Sequence, residues 1–294
     1  MEHYDLGFVV LHYLAYDMTL DCVNSLLSLF SEKKIKIAIV DNCSSNNSGK
    51  KLLKYYENNL SVNVIINSSN EGFAKGNNVG YKFLKENGIF DFIVVLNNDI
   101  IINDKLFLDK IIKLKKQYDF FVLGPDIYNP ILDVHQSPTR CGVGVTRTQV
   151  IKEREMYKKR LKYIFLYVCI DWIKKVAKKI LRFLKLKNPS NIIFSKDILN
   201  PVLHGACYIF SSDYINNRDY AFYPKTFLYF EEEILYYECV KDNMLMIYSP
   251  EISVNHYEDV STNLAFRNKF KKEKIKTKRI LESIEIFLEL SIEN

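Results

Sequence analysis

The stretch FIVVLNND, Phe92 to Asp99, decides the fold. Phe92 to Leu96 are apolar without alternation, the pattern of a strand buried on both faces in a parallel sheet covered by helices. The run stops on Asn97, Asn98 and Asp99. In open α/β sheets, ligand chemistry collects at the carboxyl ends of strands, where side chains leave the core together. A carboxylate there can hold a hard cation, and flanking amides can donate or accept hydrogen bonds. Read by itself, LNND is equally a polar turn.

Upstream, Leu6 to Tyr13 (LGFVVLHY) is an apolar first strand, and Thr19 to Phe30 carries apolar residues at helical spacing with Asp17 or Thr19 as N-cap. Ile35 to Val40 is a second strand ending on Asp41 and Asn42; a helix over about Gly49 to Asn58 and a third strand over Val62 to Asn67 follow. The SGKK before Leu52 lacks the first glycine of a phosphate-binding P-loop. A glycine-spaced loop and a helix to about Glu86 lead into the opening strand. Strand and helix alternate four times, the rhythm of a doubly wound parallel sheet with right-handed crossovers. In such a sheet Tyr13, Asp41 and Asn42 share one crevice with Asn97 to Asp99. Between them lies NEGFAKGNNVG, Asn70 to Gly80, with glycines at 72, 76 and 80. Gly72 suits a positive φ, and Gly76 and Gly80 let a helix pack closely. A helix start with Lys75 and open backbone N–H groups suits a phosphate or a sugar diphosphate. The alternative is a glycine-softened helix start.

The 294 residues are 48% hydrophobic and 26% charged, which is globular and long enough for a full core. The six cysteines form no CxxC pair, and no signal peptide precedes them, so reduced thiols in a cytoplasmic protein are expected. No apolar run reaches the roughly 18 residues of a membrane span. The net charge of +6 is concentrated: thirteen basic and three acidic residues give Lys152 to Lys187 a charge of +10, leaving −4 for the remainder.

The ordered blocks VVLHY, VDNCSS, NEGFAKGNNVG and VVLNND resemble the nucleotide-binding half of a family 2 glycosyltransferase of the GT-A fold. The likeness is to the branch that includes bacterial rhamnosyltransferases and similar polysaccharide-building enzymes. It covers about residues 6 to 125, and residues 200 to 262 less fully. The resemblance implies that Tyr13 and Asp41, beside Asn42, hold the nucleobase and ribose. It implies that Asn70, Gly72, Phe73, Gly76, Asn77 and Asn78 line the nucleotide pocket. The family's DxD-like motif, which holds Mg²⁺ or Mn²⁺ against the donor diphosphate, reads Asn97-Asn98-Asp99 here, so Asp99 alone supplies a carboxylate.

Phe120 to Gly124 reads as another buried strand and Pro125 to Gly144 as loop, where Gly142 and Gly144 make no motif. Within Lys152 to Lys187, apolar Trp172, Ile173, Val176, Ile180, Phe183 and Leu184 recur at helical spacing among Lys174, Lys175, Lys178, Lys179, Arg182 and Lys185. Such a basic amphipathic helix suits an anionic membrane surface, or is a helical hairpin with a solvated basic face. No aromatic stacking platform accompanies the charge, so nucleic acid is not expected. Pro201 to Phe210 resumes the fold as a strand, and HGAC resembles the family's acceptor-side segment, with His204 beside Gly205 and Ala206, which leave room for a sugar.

In FLYFEEEIL, Phe227 to Leu235, three carboxylates follow an apolar run. The helix dipole alone would favour them there, and mutual repulsion with partial burial would suit general base chemistry. The stretch resembles the family's FxxxED signature, with Glu231 at its Glu and Glu232 where Asp usually stands. Ile234 occupies a further position that is often acidic. The family's histidine after the next strand is His256, followed by Ser261, and the resemblance implies a metal or diphosphate contact for it. The tail from Asn263 to Leu290 is a charged amphipathic helix that packs across the catalytic domain or helps form a homodimer.

Four regions are expected: a nucleotide-sugar-binding half over 1–150, a basic helical insertion over 151–190, an acceptor-binding and catalytic half over 191–262, and a C-terminal helix over 263–294. The function implied is inverting transfer of a hexosyl or deoxyhexosyl group from a UDP- or dTDP-sugar to a hydroxyl of a growing, lipid-linked bacterial surface glycan such as a capsule, on the inner face of the plasma membrane. The rival is a catalytically weak nucleotide-sugar-binding subunit of a glycan-assembly complex. A sugar nucleotidyltransferase ranks lower, because HYLAYDMT after the first strand lacks a glycine- and Arg/Lys-rich triphosphate loop.

Overall fold

The computed structural model describes residues 1–141, 144–183, 193–257 and 269–292, with main chain only at 172, 175–183 and 269. The alternating pattern produces β1 (His3–His12), α1 (Tyr16–Leu29), β2 (Ile35–Asp41), α2 (Ser48–Tyr55), β3 (Val62–Ile66), α3 (Gly72–Asn87) and β4 (Ile89–Asn97). These four strands lie parallel in the order β3-β2-β1-β4, the opening strand against the first. After the short β5 (Ile100–Ile101) and α4 (Phe107–Tyr118) come β6 (Val122–Asn129) and β7 (Val134–His135). Then follow α5 (Arg147–Lys162), α6 (Ile164–Phe183), β8 (Ile198–Leu199), β9 (Cys207–Ser211), α7 (Ser212–Asn217), α8 (Glu231–Lys241), β10 (Met246–His256) and α9 (Lys269–Leu290).

One sheet results, ordered β3-β2-β1-β4-β9-β6-β10-β5. Strand β9 runs antiparallel to both neighbours, while β6 and β10 are parallel to each other. The start of β9 therefore lies at the same sheet edge as the ends of β1, β2, β4 and β10. Buried residues of β1, β2 and β4 alternate between two cores. Phe8, Val10, Val94 and Leu96 join α1, α2 and α4 on one face; Val9, Ile93 and Val95 join α3, α7 and α8 on the other. A third cluster, Val150, Ile234, Ile280, Ile284, Phe287 and Leu288, fastens α9 to α5 and α8. The tail thus packs across the domain.

Several boundaries differ from the pattern-based reading. Helix α1 begins after Ala15, which has no capping side chain; Thr19 lies inside its first turn and donates to the Ala15 carbonyl at 3.0 Å. Strand β6 runs through Pro125 to Asn129, because Pro125 sits opposite Ser249 at a break in the β6–β10 register, where its missing N–H costs nothing. Residues 201–206 are loop, and the strand starts only at Cys207. The basic region is two helices, with a capping box of Thr146 and Gln149 at the start of α5 and a break at Tyr163. Arg147 donates to the Leu288 carbonyl at 2.6 Å, and Arg160 pairs with Asp171 and Glu273, so part of this charge is spent on α6 and α9. The side chains of Trp172, Lys175, Val176, Lys178, Lys179, Ile180, Arg182 and Phe183 lie outside the described residues, as do Gly142, Leu184, Lys185, Ser261 and residues 263–268 of the tail. Among the described residues, no helix is long and apolar enough to cross a membrane, and all six cysteines are unpaired.

Candidate active site

At the edge formed by β1 and β2, neutral hydrogen bonds dominate. Asn42 accepts from the Glu71 N–H at 2.9 Å, and its amide donates to the Gly72 carbonyl at 2.9 Å and to Asn70 Oδ1 at 3.1 Å. It thereby fixes the loop that starts α3. Gly72 has φ +78°, and a Cβ there would collide with the Phe227 carbonyl, which itself accepts from the Phe73 N–H at 2.6 Å. Only glycine meets both conditions. A Cβ on Gly76 would lie 2.6 Å from Leu11, so its absence lets α3 approach β1.

Beneath this loop is a buried polar chain. His12 Nδ1 and Nε2 each lie 2.7 Å from a hydroxyl, of Thr19 and Ser48, and the Asn98 amide donates to Thr19 at 2.9 Å. Burial pushes the His12 pKa down to about 4 although the nearby Asp41 carboxylate opposes it, so the imidazole is neutral. The chain ties together the ends of β1 and β4 and the start of α2.

The sites inferred from sequence divide accordingly. Tyr13, Asn42, Asn70, Gly72 and Phe73 line a cavity of about 450 Å³. Asp41 does not line it: the carboxylate is buried against Gly49 and accepts from the Ser44 N–H at 3.2 Å. Asn78 also turns elsewhere, accepting from the Ala221 and Phe222 N–H groups and donating to the Phe222 carbonyl at 2.6 Å, which tethers α3 to the segment after α7. Asn77 is buried and donates to the Phe73 carbonyl, Lys75 is exposed, and Asn98 reaches inward to α1. The remaining walls are Leu11, Phe227 to Tyr229, and Lys272, Ile275, Lys276 and Arg279 of α9. Sequence reasoning missed the α9 residues. Their spacing of four and three on one helix face was the available signal, but it does not say what that face touches.

The charged part of the site lies at the ends of β4 and β10 and the start of β9. Asp99 is 7% exposed, and its Oδ1 has no hydrogen-bond partner. His256 Nε2 stands 3.4 Å from it, and His256 Nδ1 lies 2.8 Å from Gln136 Oε1. The β5–β10 pairing sets this proximity, since His256 lies opposite Ile100, next to Asp99 in sequence. The His204 ring is 5.8 Å from that of His256. Its Nδ1 accepts from the Ala206 N–H at 3.1 Å, and burial, reinforced by His256, pushes its pKa down to about 4. The Ala206 carbonyl in turn accepts from the Asn97 N–H at 2.9 Å, stitching this loop to the end of β4.

Gly205 carries the connection to α8. A Cβ there would lie 2.5 Å from Glu232 Oε1, and the Gly205 N–H is hydrogen-bonded to that carboxylate. Burial raises the Glu232 pKa, against the opposing effect of these backbone donors. The three glutamates diverge. Glu231 is buried, bonds to Thr226 and leaves Oε1 unpartnered; burial and then Glu232 raise its pKa to about 8. Glu233 pairs with Arg140 at 3.2 Å, and burial still raises its pKa. Glu232 alone keeps partial exposure. Asp99, His256, His204, Gly205 and Glu232 are therefore successive neighbours on one side of the molecule. Preceding them, Tyr229 and Phe230 both hold positive φ, 75° and 72°, a costly conformation for bulky residues and one that sets the direction in which α8 starts.

Two carboxylates, two imidazoles and a cavity thus lie at the carboxyl edge of an α/β sheet, where ligand chemistry gathers in such folds. The fold is similar to that of S. aureus TarS. For the structure of TarS 1-349 the identity is 14%, with 95% of this chain and 70% of that one covered, at TM-score 0.54. For a longer TarS structure the values are 15%, 86% and 37%, at 0.50. For TarS 1-349 in complex with UDP they are 14%, 94% and 64%, at 0.50. The chain thus spans little more than a third of the longer TarS chain. Comparison with curated proteins gives no match. Residues 8–181 match Glycosyl transferase family 2, and the chain belongs to that family, whose fold is GT-A.

Proposed function

We propose that the chain is an inverting glycosyltransferase that takes a sugar from a nucleoside diphosphate donor and delivers it to a hydroxyl of a growing glycan. The observation that carries this reading is the placement of Glu232: a partly exposed carboxylate with a raised pKa, held by the Gly205 N–H and linked through Gly205 and His204 to the Asp99–His256 pair. The fold it shares with a UDP-bound TarS structure supports a nucleotide donor.

Glu232 takes the proton of the acceptor hydroxyl as that oxygen forms its bond to the anomeric carbon and the bond to the diphosphate oxygen breaks. One displacement inverts the anomeric centre. Glu231, with a pKa of about 8, is largely protonated at pH 7, so it is a neutral neighbour and Glu232 is the base. The first-strand edge orients the nucleotide: Tyr13 and Phe73 line the cavity with aromatic rings, and Asn42 and Asn70 hold the loop in place before donor arrives.

Among the described residues, no group of three or more His, Cys, Asp or Glu side chains forms a metal site by itself. Asp99 Oδ1, buried without a hydrogen bond and 3.4 Å from His256 Nε2, nevertheless fits a divalent cation, and Gln136, facing His256 Nδ1, leaves Nε2 as the ligand nitrogen. Asp99 and His256 would hold Mg²⁺ or Mn²⁺, and such an ion would supply charge neutralisation at the leaving diphosphate. The acceptor is a lipid-linked bacterial surface glycan, such as a capsule, and the basic α5–α6 region holds the enzyme at the anionic membrane surface; the donor carries a hexose or deoxyhexose on UDP or dTDP. Donor hydrolysis and transfer by Glu232→Gln and Asp99→Ala test the assignment, and undiminished activity in both would reject it.

A further inference from the structure

All three charged residues that line the cavity are cations from one helix: Lys272, Lys276 and Arg279 of α9, placed at i, i+4 and i+7 with Ile275 between them. No carboxylate lines it among the described residues. Facing them are Tyr13, Phe73, Asn42 and Asn70, none of which carries charge. Arg279 Nη1 donates to Glu282 at 2.8 Å, so part of its charge is met within α9; the remaining cationic character of a concave wall that carries no carboxylate still favours an anion. Its volume of about 450 Å³ is that of a small-molecule site.

The helix is held rigidly over the cavity. The Arg279 guanidinium stacks on the Phe227 ring at 3.9 Å, Lys276 lies 5.5 Å from the Tyr229 ring centre, and Ser283 donates to the Leu228 carbonyl at 3.2 Å. Phe227 is in turn hydrogen-bonded to the start of α3. Ring faces occupy no N–H, so the stacking itself uses none of the donors of Lys276 or Arg279; Nη1 of Arg279 is engaged by Glu282.

We propose that α9 is the cationic wall of the donor site, and that Lys272, Lys276 and Arg279 bind the phosphates of the nucleoside diphosphate. The inference rests on the donor reading above.

Calorimetry with UDP, uridine and inorganic pyrophosphate, on the full chain, tests it. Wild type binds UDP and pyrophosphate with affinity that falls as salt rises. The double variant Lys272→Gln/Lys276→Gln loses about 10- to 100-fold in UDP affinity, the loss expected for charge-assisted hydrogen bonds, and keeps its uridine affinity within about twofold. Arg279→Lys retains more UDP affinity than Arg279→Ala. Equal losses for UDP and uridine, no loss for either, or salt-independent UDP binding by wild type would overturn the proposal. Should the double variant not fold, the wild-type salt dependence and the Arg279 pair still decide. The two readings fail separately. Donor turnover with unchanged UDP affinity in the variants sinks only the cationic wall. Cation-dependent pyrophosphate binding without turnover of any nucleotide sugar sinks only the transferase reading.

Discussion

The two walls of the cavity are built from opposite chemistry. The wall from the first eighty residues is neutral: Asn42, Asn70 and Gly72 brace one another, and His12 below them is uncharged between two hydroxyls. The wall from the last seventy is charged and under strain. It holds Tyr229, the first of two consecutive left-handed residues, and three cations; the start of α8, just after it in sequence, carries buried carboxylate oxygens without partners on Glu231 and Glu233. Neutral, saturated hydrogen bonding makes a rigid seat that costs little to keep, whereas charge kept out of water is expensive and is retained where it meets a reacting group. In the proposed reading the first wall seats the nucleoside, and the second wall, with the start of α8 beyond it, meets the charged and reacting groups.

The largest effect expected from breaking this contrast is at Glu232. Glu232→Gln keeps the shape of the second wall and removes its base, so transfer should fall about 10²- to 10⁴-fold while UDP affinity stays near wild type; a parallel loss of both would show that Glu232 serves binding. Next is the seam where the walls touch. Gly72→Ala forces a side chain into a left-handed conformation, costing roughly 1–2 kcal/mol, with more from the clash on the Phe227 carbonyl. Urea unfolding should show that loss, and UDP binding and transfer should weaken together. Asn78→Ala removes three hydrogen bonds behind the first wall and should cost about 1–3 kcal/mol of stability while leaving UDP affinity unchanged in the folded fraction.

The smallest effect sharpens the electrostatic side. Glu231 is raised from its ordinary 4.5 to about 8 in the folded chain, so its protonated form is the one that folding favours. The associated stability is complete below about pH 4.5 and declines as pH rises toward about 8. Thermal melts between pH 6.5 and 8 should show wild type losing stability on the order of 1 kcal/mol that Glu231→Gln does not lose. A variant with the same slope as wild type would remove Glu231 as the source.

How far the sequence was legible follows the same division. Wherever local pattern decides, as in the βαβ rhythm, the apolar run of β4 or the glycines of α3, elements appear within a few residues of their expected bounds. The His256–Asp99 approach was implied only by resemblance, because β10 reaches β5 across some 150 residues of chain. Side-chain direction was hidden. Asp41 and Asn78 sit in motif positions yet face Gly49 and Phe222, since a strand end or helix turn offers several directions and packing selects one. The contribution of α9 was hidden for a related reason: an amphipathic period reveals that a face is buried, not against what. The basic stretch from Lys152 was visible as charge, but Arg147, Arg154 and Arg160 engage the main chain and acids of α9 rather than standing wholly in solvent.

The clasp of Arg279 on Phe227, with Phe227 itself bonded to the head of α3, has a practical meaning for handling the protein. Shortening the chain before Lys269 for expression would leave every sheet strand encoded and the motif residues intact. It would nonetheless remove the contacts that hold residues 227–230, from which α8 and Glu232 follow, and with them the side of the pocket that α9 supplies.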